Sequence, residues 1–207
     1  MKTGAYVFSS LLLAAVFTPA AYAQPSKELR PLSAVLPKVS VAHKELAILA
    51  GDWVLTGRTF KGSPWGEGRF TGREHNEFMK GGMFLVTKTQ YSEQFNNSSQ
   101  IGFYGVDPKS GQYTFSLFNS LGVTLRVTGK LKNEASAKLA GNAITWGINP
   151  GDLVANGPGK ELNVDFGGDV MQYTTEIISR NEYRFSFSRG GVKTYEGVAK
   201  RVNAVNR

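Results

Sequence analysis

One short run holds the side chains best suited to chemistry: Glu74-His75-Asn76-Glu77 is the only local cluster that mixes carboxylates with imidazole. On an extended chain Glu74 and Asn76 fall on one face, and His75 and Glu77 on the other. His75 with Glu77 can therefore ligate a metal or form an acid–base pair. A metal site needs a third protein ligand, and the sequence indicates none. The chain has 2 histidines, His43 and His75, and no cysteine. That removes thiol nucleophiles and cysteine metal sites. A nucleophilic triad needs a base beside a hydroxyl, oriented by a carboxylate. No Gly-x-Ser-x-Gly elbow is present, and Ser63 and Ser110 lie in turn sequences. The wet outer face of a long strand is the preferred reading of Glu74–Glu77. No catalytic residue, no metal site and no cofactor are expected.

Other chemistries find less support. Gly66-Glu67-Gly68 does not lead from a strand into a helix, so a dinucleotide cradle fails. The formal net charge is +8, but the basic residues are scattered and form no block or basic helix. Nucleic-acid binding is not expected, because the aromatic residues alternate inward. Contact with an anionic membrane surface remains compatible with the charge. Nothing in the sequence addresses oligomeric state.

These residues must be positioned by the elements around them. Residues 1–23 read as a signal peptide. Lys2 supplies the positive start, Ala5 to Ala15 with Val16-Phe17 supply the apolar run, Pro19 breaks it, and Ala21-Tyr22-Ala23 gives the small-x-small cleavage pattern. The run is shorter than the roughly 20 residues of a membrane span. The protein is therefore expected to be exported, periplasmic or secreted in a bacterium, with no transmembrane segment. Residues 24–39 carry Pro25, Pro31 and Pro37 and read as an extended arm. Residues 40–203 form the folded domain. Ser40 is a plausible N-cap for a helix over Val41–Ala50, and Gly51 stands where a C′ glycine belongs.

From Asp52 onward, alternation with a period of two dominates. Strands are expected at 52–60, 65–79, 83–93, 100–106, 112–119, 122–131, 143–148, 161–166, 170–178, 182–188 and 192–202. Their inward faces are Tyr113, Phe115 and Leu117; Val123, Leu125 and Val127; Ile144, Trp146 and Ile148; Leu162, Val164 and Phe166; Met171, Tyr173 and Ile177; Tyr183, Phe185 and Phe187. Polar residues occupy the alternate positions. Short connections between such strands predict an all-β protein, an antiparallel up-and-down barrel of about ten strands preceded by one short helix. Asp107-Pro108-Lys109-Ser110-Gly111 is turn chemistry.

A short helix followed by Gly-x-Trp at the head of the first strand resembles the calycin superfamily, which includes the lipocalins. Leu49-Ala50-Gly51-Asp52-Trp53, Gly81-Gly82-Met83-Phe84-Leu85 and the stretch from Gly102 to Tyr113 are similar to an uncharacterised bacterial family of calycin-like barrels known as a domain of unknown function. The resemblance spans about residues 43 to 202. It implies a ten-stranded barrel, Trp53 as a plug at the closed end, and at most the binding of a small apolar ligand. It brings no catalytic residues. Some calycin-like barrels hold haem through a late histidine. This chain has none after His75, and Tyr173, Tyr183 and Tyr195 are better read as core or rim residues.

Three functions follow in order of support. The first is an exported barrel that binds a small hydrophobic, lipid-like ligand in its lumen, with Tyr113, Phe115, Leu125, Trp146, Tyr173 and Phe185 lining the cavity. The second is a filled barrel acting as a structural or protein-interaction module. The third is a hydrolase or isomerase-like enzyme using the His75 region with Glu74 and Glu77. The segment 151–159, rich in Gly, Asn and Pro, is expected to be a mobile portal loop.

Overall fold

Alternating side chains build a wall that closes on itself. In a computed structural model of the protein, residues 37–63, 66–92, 97–136, 138–149, 152–157, 160–163 and 169–202 are described. The expected leader, residues 1–23, and most of the expected arm lie outside them. The strands are β1 (Gly51–Thr59), β2 (Gly68–Phe78), β3 (Leu85–Tyr91), β4 (Ser99–Val106), β5 (Tyr113–Asn119), β6 (Val123–Leu131), β7 (Ala143–Ile148), β8 (Leu153–Gly157), β9 (Lys160–Asn163), β10 (Met171–Ser179), β11 (Glu182–Arg189) and β12 (Val192–Arg201). Each neighbouring pair is antiparallel. β1 pairs with β12, and β5 pairs with β6, so β1–β7 and β10–β12 form a closed ring of ten strands. Closure removes the unpaired edges that an open sheet would expose.

The remaining two strands extend one side of the ring. β6 pairs with β7 through Thr128–Leu131 and with β8 through Val123–Leu125. β8 thus takes over from β7 along the same neighbour. Asn149 and Asp152 close the interruption: Asp152 N–H donates to the Asn149 carbonyl at 3.1 Å, and Asn149 N–H to Asp152 Oδ2 at 2.7 Å. This corrects the expected loop at 151–159. Leu153–Gly157 is a strand hydrogen-bonded to Lys160–Asn163. Gly, Asn and Pro flank an apolar Leu153-Val154-Ala155 run that pairs on both sides, and a hairpin needs only a short turn. The expected core positions Val164 and Phe166 lie outside the described residues.

Burial follows the expected parity. Tyr113, Phe115, Val127, Ile144, Trp146, Ile148, Met171, Ile177, Tyr183, Phe185 and Phe187 are all buried, each worth roughly 1.5–3 kcal/mol. Some strands are shorter than expected. β3 begins at Leu85 because Gly81 and Gly82 take positive φ (99° and 71°) and Met79 N–H reaches the Phe84 carbonyl at 2.9 Å, which extends the turn. At the β4–β5 turn, Asp107 Oδ1 accepts from the N–H groups of Lys109 (2.7 Å) and Ser110 (3.0 Å).

The helical segment is split. Helix α1 (Val41–Glu45) runs into a 3₁₀ turn, Leu46–Leu49. The Ser40 N–H donates to His43 Nδ1 at 3.1 Å. So short a helix is not stable alone; Leu46 and Leu49 are buried under the barrel's end. Glu45 Oε2 accepts from the Leu139 N–H at 3.0 Å and ties the helix to the β6–β7 connection.

Candidate functional site

The barrel is shut at the helical end. Trp53 is 1 % exposed, and its indole N–H donates to the Leu49 carbonyl at 2.8 Å. The Arg201 guanidinium lies 4.2 Å from the Trp53 ring and donates to the carbonyls of Ala50, Ile48 and Arg180. Gly51 precedes Trp53 with φ +116°, and a side chain there would strike Arg201 Nη1. The glycine of Gly-x-Trp is therefore required by backbone conformation. Sequence reasoning found the tryptophan and missed the arginine, which the β1–β12 register sets opposite it.

Above this plug lies a cavity of about 260 Å³. Every strand of the ring contributes to its wall, with Leu153 of β8 added at one side. Four expected residues line it: Phe115, Leu125, Tyr173 and Phe185. Two do not. Trp146 is fully buried, its ring folded over Gly129, its cross-strand partner, where a side chain would clash; its N–H donates to Thr175 Oγ1 at 3.2 Å. Tyr113 pairs with the same glycine from the other side and lies within the field of Glu45, near the helical end. Both are inward, as the alternation requires, but they fill the barrel instead of bounding the space. Alternation selects a face; it does not say how deep along the axis a side chain sits.

The wall has one polar stripe. Glu74 of β2 is 9 % exposed and faces inward. Its Oε1 accepts from the Tyr183 hydroxyl at 2.6 Å and Asn76 Nδ2 at 2.7 Å, and its Oε2 from the Thr89 hydroxyl at 3.0 Å. Thr87, Tyr91 and Gln100 continue the stripe, and Gln100 Nε2 donates to the Tyr91 hydroxyl at 3.2 Å. Glu74 is the only Asp, Glu, Lys, Arg or His side chain on the cavity wall among the described residues. Alternation alone put Glu74 opposite His75; the missing signal was the register Trp53↔Glu74, which makes Glu74 inward because Trp53 is.

His75 points the other way. Its Nδ1 lies 2.7 Å from Asp52 Oδ1 and its Nε2 3.8 Å from Glu77 Oε2, with all three side chains partly exposed. Lys88 Nζ completes the outer row at 2.8 Å from Glu77. This Lys88 contact lowers the pKa of Glu77. Imidazole and Glu74 stand on opposite sides of the wall, so the cluster cannot act as one site. Among the described residues, no group of 3 or more histidine and carboxylate side chains is arranged to hold a metal.

Burial pushes the hydroxyls of Tyr91, Tyr104, Tyr173, Tyr183 and Tyr195 well up; Glu74 adds to this for all of these except Tyr195. Tyr113 is pushed up to about 12 by burial and Glu45. Of the 8 tyrosines in the chain, only Tyr6 and Tyr22, which lie outside the described residues, are not in this group. Below the ordinary value of 10.0 both folded and unfolded chains keep these protons. Above it the unfolded chain loses them and the folded chain does not, so stability falls as pH rises past that point. An alkaline titration of residues 24–207, which lack Tyr6 and Tyr22, followed by tyrosinate absorbance and circular dichroism, is expected to show ionisation only together with unfolding. Tyrosinate formation in a still-native barrel near the ordinary value would contradict these buried placements.

The fold and lumen define a closed, ten-stranded, calycin-like antiparallel barrel, plugged at one end by a short helix and a tryptophan. The chain belongs to the family described as "Protein of unknown function (DUF1579)", whose model matches residues 38–188. No curated protein matches the chain. Among solved structures, a redesigned β-barrel is 11 % identical with a TM-score of 0.32, covering 80 % of this chain and 99 % of its own; that likeness carries no argument about this protein. No helix among the described residues is long and apolar enough to cross a membrane.

Proposed function

We propose that the protein is exported and binds a small hydrophobic ligand in the barrel lumen. The observation that carries this reading is the cavity of about 260 Å³ above the Trp53 plug, walled by Leu55, Phe115, Leu117, Leu125, Met171 and Phe187 among others. Ligand sites are concave and mostly apolar, with a few convergent polar groups. An apolar cavity of about 150 Å³ takes benzene, so this one suits a compact molecule somewhat larger than that. Export is supported by the leader pattern from Lys2 to Ala23. A second reading, a barrel used as an interaction module without a ligand, draws on the same volume, which lies just below the usual range of about 300–1,000 Å³.

Native mass spectrometry of the protein purified from its exporting cell separates the two. The expected result is a discrete extra mass that leaves on denaturation. A bare polypeptide mass, unchanged after incubation with lipid extract, would overturn the ligand reading. The same spectra report where the leader is cut, with cleavage expected after Ala23.

A further inference from the structure

We propose that the lumen selects an amphipathic amine: a compact apolar body whose protonated nitrogen is held against Glu74. This deepens the lumenal-ligand reading and rests on it.

Glu74 is inward, more than nine-tenths buried and on the cavity wall. Three protein donors reach it, from Tyr183, Asn76 and Thr89. No protein cation does: among the described residues none of the ion pairs includes Glu74. A buried carboxylate without a counter-charge is costly. Hydrogen bonds offset part of that cost, and a cation entering the cavity offsets more.

The surroundings suit a nitrogen that carries several protons. Thr87 Oγ1, on the cavity wall, is buried with no hydrogen-bond partner. Asn76 Oδ1, on the residue paired with Thr87 across the β2–β3 ladder, is likewise unpartnered. An ammonium has donors only, so a carboxylate and unspent oxygens complement it. The rings of Tyr91, Tyr104, Tyr173 and Tyr183 also border the cavity, and aromatic faces attract cations. A carboxylate ligand meets the opposite situation. No Lys, Arg or His side chain lines the cavity among the described residues, and Glu74 repels it. Among the described residues the Lys and Arg side chains stand off the cavity wall, which carries a single carboxyl group, Glu74.

The test uses three probes of matched shape: phenethylamine, phenethyl alcohol and hydrocinnamate, titrated calorimetrically into the full folded protein near neutral pH. The amine is expected to bind at least about tenfold tighter than the alcohol, about 1.4 kcal/mol, and the acid to bind weakest. In Glu74→Gln the ratio of amine to alcohol affinity is expected to fall to about one. Alcohol binding as tight as the amine, or an amine preference that survives in Glu74→Gln, overturns the proposal and leaves the lumenal reading standing. The comparison on the unsubstituted protein decides the matter even if Glu74→Gln does not fold. If none of the probes binds, the copurifying mass is decisive: a basic nitrogen in it supports the proposal, and an acid or neutral lipid overturns it. With neither probe binding nor a copurifying mass, the lumenal reading itself fails and takes this one with it.

Discussion

Replacing Trp53 by alanine is expected to destabilise the protein by about 3–5 kcal/mol, measured by urea denaturation. The side chain is 1 % exposed and lies between two partners. Tyr183 meets its ring edge-on with centroids 4.9 Å apart, and the Arg201 guanidinium covers it at 4.2 Å. Leu46 and Leu49 are buried in the same core cluster. Little of the cost comes from the lost indole hydrogen bond, because the Leu49 carbonyl keeps a second donor, Asn76 Nδ2, at 2.9 Å. The cost is the void, since strand ends joined by ladder hydrogen bonds cannot collapse into it. Arg201 would also lose its aromatic surface. A change below about 1 kcal/mol would mean that the tryptophan does not plug the barrel.

On the proposed lumenal-ligand reading, Leu125→Trp is expected to abolish ligand retention. Leu125 is on β6, half-buried, on the wall of the cavity and beside Leu117 and Leu153 in the ladder. A larger ring there enters existing space, so the usual overpacking cost of about 1–3 kcal/mol is largely avoided. Affinity is expected to fall on the order of a hundredfold, about 2.8 kcal/mol, while the urea midpoint stays close to that of the unsubstituted protein. The copurifying mass should then vanish from native spectra. Retention of that mass by a stable Leu125→Trp barrel would place the ligand elsewhere.

Much of this barrel was legible in the chain because a strand with one wet face must alternate. Tyr113-Thr114-Phe115 and Tyr183-Arg184-Phe185 declare their inward side without any knowledge of their neighbours. Gly51-Asp52-Trp53 marked the closed end through its resemblance to the Gly-x-Trp of calycin barrels, and the structure supplies the physical reason, a positive φ at Gly51 and a buried ring at Trp53. The same local logic failed at 151–159, where flanking turn residues masked a paired Leu153-Val154-Ala155. It also failed for the site. Glu74 was visible only as part of a charged run, and a carboxylate in an inward position contradicts the rule that interiors are apolar. It is tolerated because Tyr183, Asn76 and Thr89, from three different segments, converge on it.

The sequence by itself determined the fold class and the parity of most strands, because these depend on spacing along one strand; the place of the tryptophan plug came from the resemblance of Gly51-Asp52-Trp53 to the calycin barrels. Tertiary structure alone decided which inward side chains bound the lumen and which fill it, the turning of His75 outward from Glu74, and the lone carboxyl group within. Those depend on register and on depth along the barrel axis, which are set by the pairing of strands far apart in the chain. Trp146 shows the difference: its inward face follows from its own strand, but its removal from the cavity follows from Gly129 on the next.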